Sequence, residues 1–343
     1  MTSVRIAKRT AAGFTLDVDF PIGPGVTALH GPPGAGKSLT LEAIAGFTRP
    51  DSGRILLEDA ILFDAAAHVH VPPRRRNCGY LAQSDALFPN MTLRQNLAFA
   101  ARRWPRLERH RRVAEMLERF QLSDSAAIWP RHLDAYRRLL GGVARALVAE
   151  PKLLLLDDCG IDEGRLRQIR GATEAPIVMV SGSLDLCCAA ADQMLVFDAG
   201  RILQRGAPRQ VVDQPRSLEV ARLLGIPNLF QATIAALDPG RNSSRLEFDH
   251  FALTGPYIPA HFKGNRVWVA AAAENLRVHP GSVAPPPINT VPLQLVRISH
   301  HAHSVLLEFS SKVVVNVSYD EFARQKDNKD WQVEFPPEAL RVL

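Results

Sequence analysis

GlyProProGlyAlaGlyLysSer, residues Gly31–Ser38, fits the pattern GxxxxGK followed by Ser or Thr, and the residues on either side give it the setting that pattern requires. ValThrAlaLeuHis (Val26–His30) reads as a buried strand before it, and LeuThrLeuGluAlaIleAlaGly (Leu39–Gly46) has helical spacing after it. Glycines between a strand and a helix let backbone N–H groups close around phosphates at a helix N-terminus, where the dipole favours negative charge. The stretch therefore predicts a nucleoside triphosphate site built from Gly31, Pro32, Pro33, Gly34, Ala35, Gly36, Lys37, Ser38 and Leu39. In it Lys37 reaches the β- and γ-phosphates and Ser38 offers its hydroxyl to Mg²⁺.

Outward from that loop, alternating apolar strands and helical segments run from about residue 3 to about 225, the pattern of a mostly parallel sheet with helices on both faces. Residues 88–140 turn Arg-rich and helical, which predicts a helical insertion between two sheet strands and a docking surface on it. After Gly225-Ile226-Pro227-Asn228 the runs are short and β-type: ArgValTrpValAla (266–270), SerValLeuLeuGluPhe (304–309) and LysValValValAsnVal (312–317). Two domains are expected, residues 1–227 and a small β-barrel over 228–343, with Pro285-Pro286-Pro287 a stiff connector inside the barrel.

The chain has 343 residues and a formal charge of +6, with its arginines (Arg74–Arg76, Arg102 and Arg103, Arg109–Arg112) scattered among acidic and apolar neighbours. That reads as solvated surface and gives no support to a nucleic-acid partner. Cys78, Cys159, Cys187 and Cys188 have neither CxxC spacing nor a disulfide framework, as in a reducing compartment. MTSVRIAKRT carries no apolar signal core and nothing approaches the ~18 apolar residues of a membrane span, so a membrane role is expected to come through a partner. His300, His301 and His303 fit neither a tetrahedral zinc pair nor one helix face and read as a solvated turn. Phe14 reads as a core aromatic rather than a base-stacking one.

Downstream, GlyTyrLeuAlaGln (79–83), AlaLeuPheProAsnMetThrLeuArgGlnAsnLeu (86–97) and LeuLeuLeuLeuAspAsp (153–158) fall in order, and with them the chain resembles the ATP-hydrolysing subunits of ABC transporters. The stretch 54–98, with PheAspAlaAlaAlaHis, ProProArgArgArg and LeuPhePro, is most similar to the ATP-binding subunit of molybdate importers. The β-rich end resembles the small oligosaccharide-binding-type (TOBE or molybdate-binding) barrel appended to such subunits. The resemblance implies an α/β P-loop ATPase domain, then this barrel. It also implies ATP and Mg²⁺ as ligands, Asp157 as the Walker B aspartate, Gln83 as the γ-phosphate and metal sensor, and Ser38, Gln83 and Asp157 around Mg²⁺. Implied partners are membrane permease subunits, a second ATP-binding subunit and, indirectly, a periplasmic oxyanion-binding protein. The implied place is the cytoplasmic face of the cell membrane, peripherally.

Four elements that complete hydrolysis in the family depart from its pattern here, and these four act on the γ-phosphate. The carboxylate after Walker B, normally Glu, is Asp158, one methylene shorter; in this reading it is the general base, with slow turnover. The switch histidine position after IleValMetVal (177–180) holds Gly182. The signature LSGGQ becomes LeuAspAlaTyrArg (133–137), which puts the charge of Asp134 and the bulk of Tyr136 where a hydroxyl and glycine amides belong. LeuLeuGlyGly (139–142) imitates the signature only through a deletion within a helix. The connection CysGlyIleAsp (159–162) and the helix 163–170 are short. In the barrel, ProProProIleAsn (285–289) stands where molybdate-binding barrels resemble SerAlaArgAsn, and of these only Asn289 is kept. The reading is an importer ATPase with altered hydrolysis; the alternative is a hydrolysis-deficient regulatory or partner subunit.

Overall fold

The structure, a computed structural model, describes residues 2–82, 87–248, 251–281, 288–326 and 330–343. Gln83 and Pro285-Pro286-Pro287 lie outside the described residues. The chain divides into two compact units, Met1–Val211 and Val212–Leu343.

In the first unit the elements are β1 (Thr2–Arg9), β2 (Thr15–Ile22), β3 (Val26–His30), α1 (Lys37–Ala45), β4 (Ser52–Leu57), β5 (Ala60–Asp64), β6 (Val69–His70), β7 (Cys78–Leu81), α2 (Leu93–Ala100) and α3 (Arg106–Arg119). They continue with α4 (Ala135–Leu147), β8 (Leu153–Asp157), α5 (Glu163–Arg170), β9 (Ile177–Val180), α6 (Leu184–Ala190), β10 (Gln193–Asp198) and β11 (Arg201–Gly206). A sheet ordered β11-β10-β3-β9-β8-β7 is parallel except at its β11 edge. Every residue of β3, β8 and β9 is buried, which is why ValThrAlaLeuHis, LeuLeuLeuLeuAsp and IleValMetVal read as unbroken runs rather than alternating ones. An antiparallel sheet, β2-β1-β4-β5-β6, shares their core: Val4, Phe20 and Ile55 pack in one cluster with Leu29, Leu41, Leu155 and Phe197.

The parallel register sets Leu29 beside Val180 and Val180 beside Asp157. The loops that follow β3, β8 and β9 therefore leave the sheet side by side, at the carboxyl ends of its strands, where open α/β sheets bind ligands.

Helices α2 to α4 form the helical part. Thr92 and Gln95 make a reciprocal capping box at the start of α2. Buried Asn96 accepts from Phe88 N–H and donates to the carbonyls of Phe88, Met91 and Thr92, which ties the 88–92 turn to the helix. Gly141 lies buried within α4, where a Cβ would come 2.7 Å from Leu93 Cδ1. Leu140, Gly141 and Gly142 are thus buried in the helix packing, while Leu139 is half-buried.

One arginine contradicts the expected solvated cluster. Arg74 and Arg75 are exposed, but Arg76 is 1% exposed. Its guanidinium donates to the carbonyls of Val71, Ala43 and Ile44, the latter two in the last turn of α1. A cation at a helix C-terminus meets the negative end of the dipole, and this one also supplies donors to carbonyls that have no intrahelical partner.

The second unit holds antiparallel strands in three sheets: Asn228–Asp238, Ser243–Glu247, Ala252–Pro256, Arg266–Ala271 and Arg341–Val342; Arg277–Pro280, Thr290–Leu293 and Trp331–Glu334; and Leu295–His300, Val305–Phe309 and Val314–Val317. They share a core that includes Ile234, Leu246, Val269, Leu307, Val315 and Phe335. Asn289, the residue kept from the oxyanion-binding pattern, is wholly engaged within this unit. Its Oδ1 accepts from Thr254 N–H at 2.7 Å, while Nδ2 donates to the carbonyls of Thr254 at 2.7 Å and Phe335 at 2.9 Å. Its φ of 63° is a left-handed conformation that asparagine tolerates better than most residues. Asn289→Ala is expected to lower the unfolding free energy by about 2 kcal/mol, since it orphans these backbone groups; urea unfolding checks it. His300, His301 and His303 are exposed, and the His300 ring stacks on Tyr319. Among the described residues no group of three or more His, Cys, Asp and Glu side chains is arranged to hold a metal.

Candidate nucleotide site

Each glycine of the loop after β3 meets a separate local demand. Gly31 passes so close to β10 that a Cβ would lie 2.2 Å from the Phe197 carbonyl oxygen. Gly36 opens α1 in a left-handed conformation, φ 98°, under the Phe14 ring. Its carbonyl accepts from both the backbone N–H and the hydroxyl of Thr40. Ala35 is buried and donates its N–H to the Pro32 carbonyl, closing the turn.

From the start of α1 the Lys37 ammonium folds back over this loop, donating to the Gly31 carbonyl at 2.8 Å and the Pro32 carbonyl at 2.7 Å. Burial pulls its pKa below the ordinary lysine range, and the charges of Asp158 and then Asp157 counter that. Ser38 donates its hydroxyl proton to Asp157 Oδ1 at 2.7 Å, and Tyr80, on neighbouring β7, donates to Asp157 Oδ2 at 2.9 Å. The Tyr80 pKa is pushed well up, first by burial and then by the Asp157 charge, so the phenol keeps the proton it donates.

The loop bounds a cavity of about 510 Å³. Gly31, Pro33, Gly34, Gly36, Lys37, Ser38, Leu39 and Asp158 line it, as does Gly182. Pro32 and Ala35 are not among the lining residues; the Pro32 carbonyl accepts from Lys37 and from the Ala35 N–H within the loop, and Asp157 is joined to the site through Ser38. Phe14 lines the cavity while packing against the core. A second cavity of about 200 Å³ shares Asp158, Val180 and Gly182 with the first and is walled by Cys159, Ser181 and Leu186. Asp158 itself is exposed and held at φ 44°, a left-handed conformation in which aspartate is enriched. At the altered signature, Asp134 is the N-cap of α4: its carboxylate accepts from Arg137 N–H at 2.7 Å and pairs with the Arg137 guanidinium at 3.1 Å. Tyr136 is 49% exposed, with the Arg165 guanidinium 5.0 Å from its ring centre.

Ser38 and Asp157 suit a hard divalent cation. Donating its only proton to Asp157 leaves the Ser38 hydroxyl two lone pairs, and every donor is oxygen. Tyr80 was missed by the sequence reading because its partner is 77 residues away and only the β7–β8 pairing joins them.

Residues 16–160 match the ABC transporter family. The molybdate/tungstate import ATP-binding protein of Archaeoglobus fulgidus is 34% identical over 241 residues, 68% of this chain and 98% of that protein. The chain belongs to the ABC transporter ATPase family. This ABC ATPase is also 29% identical to the molybdenum import ATP-binding protein of Paramagnetospirillum magneticum, over 81% of this chain and 77% of the relative. Import ATP-binding proteins for sulfate/thiosulfate (Thermosynechococcus vestitus) and spermidine/putrescine (Vibrio cholerae) match at 36% and 32% identity, over 63% and 77% of this chain and 66% and 71% of those proteins. A solved ATP-binding subunit of an ABC transporter superposes with TM-score 0.54 and 24% identity, covering 65% of this chain and 98% of its own. That likeness fixes the ABC fold of the ATPase. No described helix of this ABC ATPase is long and apolar enough to cross a membrane.

Proposed function

We propose that this chain is the ATP-binding subunit of an importer for molybdate or a related oxyanion, coupling ATP binding and hydrolysis to transport. The observation that carries the nucleotide part is the loop from Gly31 to Ser38, closed over Lys37 and joined through Ser38 to Asp157. Relatives named for molybdenum and for molybdate/tungstate import support the oxyanion, and uptake of molybdate against spermidine tests it, since other relatives are named for polyamine import. Mg²⁺ would be held by Ser38, Asp157 and Gln83, and would neutralise phosphate charge during γ-transfer. Lys37 would leave its loop carbonyls for the β- and γ-phosphates, and Asp158 would be the general base.

The remaining parts follow from that role. A second ATP-binding subunit closes over the nucleotide, and the turn at Phe88 and Pro89 passes the motion to membrane permeases at the cytoplasmic face. A periplasmic oxyanion-binding protein acts indirectly. The β-rich end serves as a TOBE-type barrel, one that takes up no oxyanion through Asn289, whose amide is already bonded on both sides.

A hydrolysis-deficient partner or regulatory subunit is the second reading, favoured by Gly182 facing the phosphate cavity and by Asp134 capping its own helix. ATP titration and single-turnover hydrolysis separate the two. Lys37→Ala is expected to weaken ATP binding tenfold or more, in line with the roughly 1.5–3 kcal/mol of a hydrogen bond to a charged group. Wild-type turnover in that assay supports the motor. Tight binding without turnover supports the second reading, and equal binding by Lys37→Ala overturns both.

A further inference from the structure

Within the nucleotide site, on whose reading this inference rests, the Walker B carboxylate is held from two sides and only one of them belongs to the phosphate loop. Asp157 is 6% exposed, and its oxygens divide their donors: Oδ1 takes the Ser38 hydroxyl at 2.7 Å and Oδ2 the Tyr80 hydroxyl at 2.9 Å. We propose that Tyr80 is a positioning residue for the divalent metal, its hydroxyl fixing the Asp157 carboxylate in the plane that turns Oδ1 toward Ser38.

The terminal torsion of an aspartate is soft and roughly two-fold, so a single hydrogen bond on one oxygen leaves the plane free to swing. A second donor on the other oxygen removes that freedom. Tyr80 is itself fixed. It sits on β7, paired in parallel with the strand that ends at Asp157, and its ring meets Phe47 edge-on with centroids 5.2 Å apart. Phe47 directly follows Gly46, the C-cap of α1, and Ser38 lies in the first turn of that helix. Both donors to the carboxylate are thus referred to α1, one from its first turn and one through a ring packed at its end. A phenol suits the position because it adds no charge beside the metal. A second cation there would compete with the metal for the carboxylate. Residues that orient metal ligands in this way typically change metal affinity by about 10- to 100-fold when lost.

Tyr80→Phe keeps the ring against Phe47 and removes the hydroxyl alone. The measurement uses the full chain, with Mn²⁺ as the probe: ATP affinity in EDTA, the Mn²⁺ concentration for half-saturation of the ATP complex, and the electron paramagnetic resonance spectrum of the bound ion. The expected result is unchanged ATP affinity in EDTA, a rise of about tenfold in half-saturating Mn²⁺, and an altered spectrum. Equal Mn²⁺ affinity and spectrum in the two proteins overturn the proposal. So does an equal loss of ATP affinity with and without metal, which would make the hydroxyl a support of the loop as a whole. A wild-type chain that binds ATP in EDTA but gains nothing from Mn²⁺ also overturns it. One that binds no ATP at all takes down the nucleotide-site reading beneath it.

Discussion

The double variant Asp158→Glu, Gly182→His is expected to hydrolyse ATP about a hundredfold faster than the wild type in a single turnover, with ATP affinity unchanged. Both positions line the phosphate cavity and both border the 200 Å³ cavity beside it. Side chains added there extend into space already present. A Cβ at Gly182 meets nothing within 4 Å, and its backbone is outside the left-handed region, so a side chain can begin there without a Cβ clash or strain. Glutamate at 158 carries the carboxylate one methylene deeper, and a misplacement of about 1 Å near the reacting atoms can change a rate about a hundredfold. A positioned general base and its orienting partner contribute on the order of 10² to 10⁴. The left-handed φ of 44° at 158 suits aspartate better than glutamate, so a small loss of folding stability is expected alongside the gain. Rapid-quench measurement of phosphate release with enzyme in excess decides it. An unchanged rate with intact ATP binding would mean that neither position limits hydrolysis.

How far the sequence could be read follows from where each residue finds its partners. The strand–loop–helix turn at Gly31–Ser38 was legible because its backbone demands fall on consecutive residues: a glycine that must pass β10 and a glycine that must open α1. The buried strands were legible because their apolar runs are unbroken. What stayed hidden depends on distant pairings or on backbone atoms. Tyr80 reaches Asp157 across a strand pair, and nothing local marks it. Asn289 bonds the backbones of Thr254 and Phe335, so a residue that matched an anion-binding pattern is spent on joining segments of its own unit. Asp134 was read for its charge toward a partner, while an equally local rule, the helix N-cap, accounts for its contacts here.

Arg76→Leu is expected to lower the unfolding free energy of the first unit by about 3–5 kcal/mol and its melting temperature by roughly 10 °C. The sequence shows three consecutive arginines, and composition alone assigns them all to solvent. Only the third points inward, because the chain enters the short turn Pro73–Arg75 after β6 and turns Arg76 beneath the end of α1. There Nη1 donates to the Ala43 and Ile44 carbonyls at 2.8 Å each, Nε donates to Val71 at 2.7 Å, and Nη2 lies 3.3 Å from His70 Nδ1. Leucine fills part of the volume but leaves these acceptors buried without donors, each costing about 1–3 kcal/mol. Gly46 belongs to the same arrangement: a Cβ there would meet Arg76 Nε at 2.5 Å, so the glycine both ends the helix and makes room for the guanidinium. Arg76→Lys, with one nitrogen in place of a planar fork, is expected to recover only part of the loss. Because α1 begins with Lys37 and Ser38, loosening its far end also weakens the platform from which they act, and saturating ATP should restore part of the melting temperature in proportion to its affinity. Thermal unfolding of the three proteins with and without ATP reads both effects, and a loss below about 1 kcal/mol would mean that water replaces the guanidinium at the helix end.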